Sequence, residues 1–167
     1  EYDKAISFYE KAIELKPDYT EAYYNMGIGY YNQGNYSKAI ESYKKAIELN
    51  PDLSVAYLGL GIAYKKQGNY AKAIELYEKA IELKPDYIDA YYNMGIAYRK
   101  QGNYTQAIES YEKAIELKPD YAGAYYNLGI TYYNQGNTTW GIEQNKKAAR
   151  LGHQRAQAWL KRYGHDW

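Results

Sequence analysis

A Pro-Asp pair recurs along this chain at a fixed interval of 34 residues, and that interval constrains the fold more than any other feature. The prolines are Pro17, Pro51, Pro85 and Pro119. A Gly-Asn pair keeps the same interval, with its glycines at Gly34, Gly68, Gly102 and Gly136. A period of this length is typical of a repeat array, in which one supersecondary unit stacks on its neighbours. Each unit must therefore contain two segments separated by two breaks.

Both segments of a unit have the periodicity of a helix. In the first complete unit, apolar or small residues of the leading segment, helix A, fall at i, i+3, i+4 and i+7, namely at Tyr23, Met26, Gly27 and Tyr30. The second segment, helix B, repeats the spacing with Ala39, Ile40, Tyr43, Ala46 and Ile47. Gly34 suits a left-handed cap of helix A, and Asn35 suits an N-cap of helix B. The pattern predicts a helical hairpin with these periodic residues in its core.

Glycine recurs in the middle of helix A, where it costs about 1 kcal/mol relative to alanine. Its recurrence therefore indicates a packing requirement. We expect these positions to let helix B approach helix A closely while tyrosines fill the remaining space. The glycines are Gly27, Gly61, Gly95 and Gly129.

The repeats resemble the tetratricopeptide repeat family. That family's pattern has a large residue, a Leu-Gly-like pair, a Tyr, two Ala residues flanking an aromatic, and a Pro. The second repeat fills it with Tyr57, Leu60, Gly61, Tyr64, Ala73, Tyr77, Ala80 and Pro85, and the third with Tyr91, Met94, Gly95, Tyr98, Ala107, Tyr111, Ala114 and Pro119. The resemblance implies an all-α fold, a right-handed solenoid of antiparallel helix hairpins whose concave face binds extended or helical peptides.

We expect one array over residues 1–167. It comprises a leading helix B without its helix A (1–19), four repeats (20–53, 54–87, 88–121 and 122–155) and a C-terminal capping helix and tail (156–167). The leading segment indicates an array truncated at its N-terminus. The last repeat departs from the pattern, and the stretch from Lys147 to Leu160 resembles a Sel1-like repeat. The apolar stripe of the capping helix is Ala156, Trp159, Leu160 and Tyr163.

Composition excludes several function classes. The net charge is +1, which argues against a nucleic acid or an anionic membrane surface as partner. There is no cysteine, so disulfides and thiolate metal sites are excluded. The two histidines lie apart from carboxylate clusters, and no phosphate-binding glycine loop or base-activated serine is present. We therefore expect no catalytic residue, metal or cofactor. No signal or membrane-spanning segment is recognisable, and the compartment stays undetermined, with the cytoplasm slightly favoured.

A second apolar row on helix A points away from the first, and we expect it to line the concave face. Tyrosines and isoleucines of this row supply apolar contact, and neighbouring asparagines offer amide groups to a peptide backbone. Basic residues at the ends of two A helices favour an acidic or carboxylate-bearing peptide. The predicted groove residues are Tyr24, Asn25, Ile28, Lys65, Lys66, Tyr92, Asn93, Ile96, Arg99, Lys100, Tyr126 and Asn127.

Alternatives remain open for parts of this surface. Neighbouring A helices could bury the apolar row themselves, and the cations could simply be placed favourably at helix C-termini. The resemblance does not extend to the carboxylate-clamp subclass that holds chaperone tails, because Tyr24 and Ile28 and their equivalents occupy its Lys and Asn positions. Beside a peptide-binding scaffold, the sequence is compatible with self-association through the uncovered leading helix or with a targeting arm of a larger enzyme. It is also compatible with a natural or a consensus-designed origin.

Overall fold

A computed structural model describes residues 2–167. This part of the chain folds into ten α-helices with no strand, which confirms the all-α prediction. The helices are α1 (Tyr2–Leu15), α2 (Thr20–Asn32), α3 (Tyr36–Leu49), α4 (Ser54–Lys66), α5 (Tyr70–Leu83), α6 (Ile88–Lys100), α7 (Tyr104–Leu117), α8 (Ala122–Asn134), α9 (Thr138–Arg150) and α10 (Gln154–Arg162).

The helices form two compact units, one ending at Tyr87 and the other beginning at Ile88. In the first unit α2 packs on α3 and α4 on α5, and α1 and α3 pack on the helices that follow them. In the second unit α6 packs on α7 and α8 on α9, α7 contacts α8, and α10 packs on α9. The interpretation of residues 1–167 as a single array stays a prediction.

The Gly-Asn pairs build the hairpin turns as predicted, except that the Asn103 side chain does not cap α7. Gly34 has a φ of +77°, and its counterparts Gly68, Gly102 and Gly136 are also in the left-handed region. The Gly34 N–H donates to the Tyr31 carbonyl at 2.9 Å and the Asn35 N–H to the Tyr30 carbonyl at 2.9 Å, which closes the end of α2. The Asn35 side chain then accepts a hydrogen bond from the Lys38 N–H at 3.2 Å and caps α3.

The mid-helix glycines hold the rings of helix B, as expected. A Cβ atom on Gly61 would lie 2.5 Å from Cε1 of Tyr77, and one on Gly95 would lie 2.7 Å from Cε1 of Tyr111. Both tyrosines are completely buried. Burial raises the pKa of both hydroxyls far above the usual value, so they stay protonated. The helix pairs are therefore held together by a ring inserted against bare backbone.

The rest of the first stripe is less buried than the core interpretation implies. Tyr23, Met26 and Tyr30 are half-buried and line a shallow pocket at the edge of their hairpin. The reason is that the helix-B ring occupies the centre of the interface over Gly27, which leaves the flanking side chains at its margin. In the second repeat Leu60 and Leu76 are buried at the positions of Met26 and Ser42.

The fourth hairpin replaces the buried tyrosine with Asn145. Its amide lies against Gly129, where a Cβ atom would be 2.5 Å from Nδ2, and Nδ2 donates to the Gly141 carbonyl at 2.8 Å. Gly141 also approaches the Gly129 backbone, because a Cβ atom on Gly141 would lie 2.9 Å from the Gly129 oxygen. Without a ring between them, α8 and α9 thus meet backbone to backbone.

The capping helix α10 closes this hairpin. Ala156 and Leu160 of the predicted stripe are completely buried, Trp159 is half-buried and Tyr163 is exposed. Ala148 and Ala149 of α9 complete the small core beneath Leu160. The stripe therefore divides into a buried half near the start of α10 and an aromatic half near its end.

Candidate functional site

In the first unit, the second apolar row of the A helices lines a cavity of about 280 Å³. Tyr24 and Ile28 of α2 face it together with Leu58 and Ile62 of α4. The Tyr24 ring packs against Tyr43 with centroids 5.9 Å apart, and burial raises the pKa of the Tyr24 hydroxyl. No charged residue is among the described side chains that line this cavity, so it suits an apolar group.

The other predicted residues of the first unit are not among those that line this cavity. Asn25 is half-buried on α2, and Lys66 is exposed at the end of α4. Lys65 is partly buried, and burial together with the neighbouring Lys66 charge lowers the pKa of its amine to about 8. This end of α4 is therefore a locally basic site with one partly dehydrated amine.

In the second unit, four of the predicted residues surround a cavity of about 490 Å³, within the size range of small-ligand sites. Tyr92 and Ile96 come from α6, and Tyr126 and Asn127 come from α8. The remaining lining residues, 152–155, are the turn before α10 and its first residues. Side chains of α6, α8 and the start of α10 thus line one cavity with both aromatic and polar groups.

Asn127 is the centre of the hydrogen-bond network in this wall. Its Nδ2 donates to the Tyr92 hydroxyl at 2.9 Å and to the Gly123 carbonyl at 3.0 Å. Its Oδ1 accepts from Nη2 of Arg99 at 3.5 Å. Asn93 likewise donates from Nδ2 to the Asp89 carbonyl of its own helix at 2.7 Å. These amide donors are engaged within the chain, whereas the sequence interpretation expected them to face a peptide backbone.

Positive charge converges on Tyr92. Burial raises the pKa of its hydroxyl, while the hydrogen bond from Asn127 and the charges of Arg99 and Arg155 act in the opposite direction. The Nε atom of Arg99 is buried and has no hydrogen-bond partner among the described residues. No carboxylate is among the described side chains lining the cavity. The wall therefore favours a group that accepts hydrogen bonds and carries negative charge.

The wall formed by residues 152–155 was missed by the sequence interpretation. His153 stacks on Tyr126 with ring centroids 4.5 Å apart, and its Nδ1 caps α10 by accepting from the Ala156 N–H at 3.2 Å. Burial and the nearby Arg155 charge lower the pKa of His153. The available signal was the Gly152-His153 pair in place of the Pro turn, because α10 begins 32 residues after α8 instead of 34.

The predicted basic cluster is divided between the two units. Lys65 and Lys66 belong to the first, and Arg99 and the exposed Lys100 belong to the second. Their convergence on one ligand stays a prediction. Over residues 2–167, none of the helices is both long enough and apolar enough to cross a bilayer. The same residues contain no grouping of three or more His, Asp or Glu side chains suited to a metal ion.

Helical hairpins that pack on one another and carry cavities on their A helices define an all-helical repeat scaffold. The chain belongs to the tetratricopeptide repeat family. The family model described as TPR repeat matches residues 1–34, 63–102 and 95–136, and two tetratricopeptide repeat models match residues 20–53 and 42–75. The Sel1 repeat model matches residues 122–162. Family and fold support a protein-interaction scaffold as the class of function.

Solved structures share this fold. A crystal structure of MamA is 34% identical over 93% of this chain and 91% of that chain, with a TM-score of 0.86. YrrB, described as a TPR protein with an unusual peptide-binding site, is 27% identical over 96% of this chain and 84% of its own, with a TM-score of 0.81. MamA from Desulfovibrio magneticus RS-1, from residue 41 to its end, is 25% identical over 90% and 85%, with a TM-score of 0.85. No curated protein matches the chain significantly.

Proposed function

We propose that this chain is a protein-interaction scaffold that binds a peptide segment along the exposed face of its A helices. The cavity of the second unit carries the proposal, because it combines aromatic walls, polar groups and positive charge. The likeness to YrrB, whose description names a peptide-binding site, supports the same class of ligand.

Each part of the face has a role in this proposal. Tyr92, Ile96 and Tyr126 provide the apolar surface for one side chain of the peptide, as aromatic residues do at interface hot spots. In the first unit, Tyr24 and Ile28 belong to a mainly apolar, uncharged cavity that accepts another side chain of the peptide. Asn25 is the predicted asparagine that meets the peptide backbone, because the amide donors of Asn93 and Asn127 are engaged within the chain. The charges of Lys65, Lys66, Arg99 and Lys100 attract acidic residues of the ligand.

The test is a selection of phage-displayed random 12-residue peptides on the chain, followed by fluorescence anisotropy with the selected peptides. Tyr126→Ala is expected to weaken their binding about 10-fold or more, because it removes a large aromatic contact from the cavity. Tyr125→Ala is the matched control. Both tyrosines pack against the same core cluster, but only Tyr126 lines the cavity.

Equal losses in the two variants would indicate a shared effect on folding and would contradict the proposed site. Circular dichroism melting of both variants measures that effect directly. Selected peptides that bind wild type and Tyr126→Ala alike would place the binding face elsewhere.

Self-association through α1 is a second candidate, favoured by the exposure of that helix. Phe8 is 69% exposed, whereas Ser42 and Leu76, its equivalents in later repeats, are 4% and 8% exposed. The difference arises because a preceding helix A covers α3 and α5 but none of the described helices covers this side of α1. A second copy of the chain would bury the same side.

Sedimentation equilibrium over a range of protein concentrations tests this candidate. We expect a concentration-dependent dimer that Phe8→Ser abolishes, while Leu151→Ser, which changes an exposed apolar residue of the second unit, leaves it intact. A wild-type chain that stays monomeric over the whole range would contradict self-association.

A further inference from the structure

We propose that the cavity of the second unit contains a carboxylate subsite formed by Arg155, the Tyr92 hydroxyl and the first turn of α10. This inference rests on the proposed function and names the ligand group that the cavity selects. Its central residue, Arg155, lies at the Sel1-like end of the chain, outside the residues that the repeat pattern indicates for binding.

The donors of this subsite converge from two elements. Arg155 lines the cavity from the start of α10, and Tyr92 lines it from α6. The Tyr92 hydroxyl accepts a hydrogen bond from Asn127, so its own proton remains to be donated to a ligand. A guanidinium and a hydroxyl that line the same cavity are both donors suited to the oxygens of a carboxylate.

The start of α10 adds backbone donors. The first N–H groups of a helix have no acceptor within it, and the helix dipole places partial positive charge at the same end. In α10 the Ala156 and Gln157 N–H groups donate to His153, so the backbone donors that remain for a ligand are those of Gln154 and Arg155, which line the cavity. An anion in the cavity would therefore meet both a side-chain charge and the helix terminus.

Arg99 acts on this subsite indirectly, through Asn127 and Tyr92. It donates a hydrogen bond to Asn127 and is not among the residues that line the cavity, and its charge acts on the Tyr92 hydroxyl. Asn127 is thereby held with its Oδ1 towards Arg99 and its Nδ2 towards Tyr92, which orients the Tyr92 hydroxyl. Among the described residues, neither arginine is in an ion pair at contact distance, so no internal carboxylate competes with the ligand.

The mainly apolar cavity of the first unit, which has no charged residue in its described lining, provides an internal contrast. Val55, Leu58 and Ile62 occupy its wall, and none of its described lining residues is charged. A carboxylate is therefore expected to bind in the second unit and not in the first, because burial of a charge without a charged partner is strongly unfavourable.

Titrations followed by ¹H-¹⁵N correlation spectra of the full chain test the subsite with three short probe peptides. The first is acetyl-Gly-Glu-Glu-Gly-amide, which carries side-chain carboxylates. The second is acetyl-Gly-Gln-Gln-Gly with a free C-terminus, which carries only a terminal carboxylate. The third is acetyl-Gly-Gln-Gln-Gly-amide, which is neutral. We expect saturable shifts of the amides of residues 153–156 and of the Asn127 side chain with at least one charged probe, and none with the neutral probe.

Variants distinguish binding of a probe at the subsite from general attraction of the probe to a basic surface. Arg155→Ala is expected to weaken binding of the responding probe about 10-fold, the effect of losing one charge-assisted hydrogen bond. Tyr92→Phe, which retains the ring, should weaken it severalfold. Arg150→Ala removes an exposed arginine at the end of α9 that does not line the cavity and should leave the affinity unchanged.

The comparison of the two charged probes identifies the source of the carboxylate, an acidic side chain or a peptide C-terminus. Equal binding of the neutral probe, the same loss in Arg155→Ala and Arg150→Ala, or the absence of saturable binding by both charged probes would overturn the subsite. A selected 12-residue peptide that requires Tyr126 but tolerates Arg155→Ala would overturn the subsite alone. If no selected peptide requires Tyr126, the proposed function itself fails.

Discussion

At the scale of single residues, the contact between a glycine of helix A and a ring of helix B explains the composition of this chain. The 25 tyrosines include Tyr43, Tyr77 and Tyr111, whose rings need bare backbone opposite them. Glycine in a helix is unfavourable by about 1 kcal/mol, and it is retained because any Cβ atom would collide with a buried ring. At Gly27, Gly61 and Gly95, tertiary packing against a ring therefore outweighs the low helix propensity of glycine.

The first prediction concerns this contact. Gly61→Ala should destabilise the chain by roughly 1–3 kcal/mol, because its Cβ atom would overlap the buried Tyr77 ring. Gly123→Ala is the control, since the nearest atom to its Cβ would be 3.4 Å away, and it should be neutral or stabilising by up to about 1 kcal/mol. Thermal melting followed by circular dichroism distinguishes them. Similar melting temperatures for both variants would disprove the proposed role of the ring contact.

The second prediction concerns His153 and pH. The pKa of His153 is lowered in the fold, and its neutral Nδ1 caps α10 while its ring faces Tyr126 and the Arg155 charge. A lowered pKa means that the folded state binds fewer protons than the unfolded state. The stabilisation that neutral His153 contributes to the fold is therefore complete above the unfolded pKa of about 6.5. It is lost as the pH falls through the lower, folded-state pKa.

Wild type should therefore lose stability relative to His153→Asn between about pH 7 and 5, since asparagine caps a helix without titrating in this range. Melting temperatures of both chains across the range measure the difference. His165 is common to both chains and cancels in the comparison. Parallel pH profiles would show that the cap does not titrate.

At the scale of elements, α1 differs from every later helix B. Ile6 is its only buried residue among those described, and it packs beneath Gly29 of α2. In α3 and α5 both faces are covered, with Ala39 and Ala73 completely buried where Ala5 is exposed. The same sequence pattern therefore has different stability according to its neighbours, as expected for a repeat protein.

The third prediction follows from that difference. Backbone amides of α1 should exchange with solvent at least about 10-fold faster than those of α3, because opening α1 breaks one helix interface instead of two. Hydrogen exchange monitored by mass spectrometry at neutral pH measures both helices in one experiment. Equal protection at a dilution where the chain is monomeric would show that packing on α2 alone is sufficient.

At the scale of the whole molecule, charge is nearly balanced and is distributed as short-range pairs. The Lys–Glu pairs Lys45–Glu48 and Lys113–Glu116 repeat at i, i+3 on the exposed faces of helix B, both at 2.8 Å. Such exposed pairs contribute little to stability, typically below about 1 kcal/mol. Stability must therefore come mainly from the buried helix interfaces.

The fourth prediction is that salt weakens the binding of an acidic peptide but hardly changes the free energy of unfolding. Raising NaCl from about 0.05 to 1 M should change the free energy of unfolding by less than about 1 kcal/mol, because the exposed ion pairs are weak. The same change should weaken binding of an acidic peptide markedly, since that interaction is between separate charged molecules. Parallel melting and anisotropy measurements check both. A large salt effect on the melting temperature would contradict this account of stability.

The sequence predicted the elements of the fold well and the candidate site in part. The 34-residue interval, the Gly-Asn turns and the Asn35 cap were predicted because they depend on residues adjacent in the chain. Tyr92, Ile96, Tyr126 and Asn127 were predicted on one face by helical geometry, and they do line one cavity. The engagement of the Asn127 amide with Tyr92 was not predicted, because it depends on the spacing between α6 and α8.

The amino-acid sequence by itself determined the repeat, the helices and their caps, because backbone preferences and helical periodicity act over a few residues. Only the tertiary structure decided that residues 152–155 line the same cavity as Tyr92 and that Arg155 and Arg99 act on the same hydroxyl. That outcome depends on where α10 begins and on how closely α8 and α9 pack through Gly129 and Gly141. Distances between helices are set by the side chains between them, which no local pattern specifies.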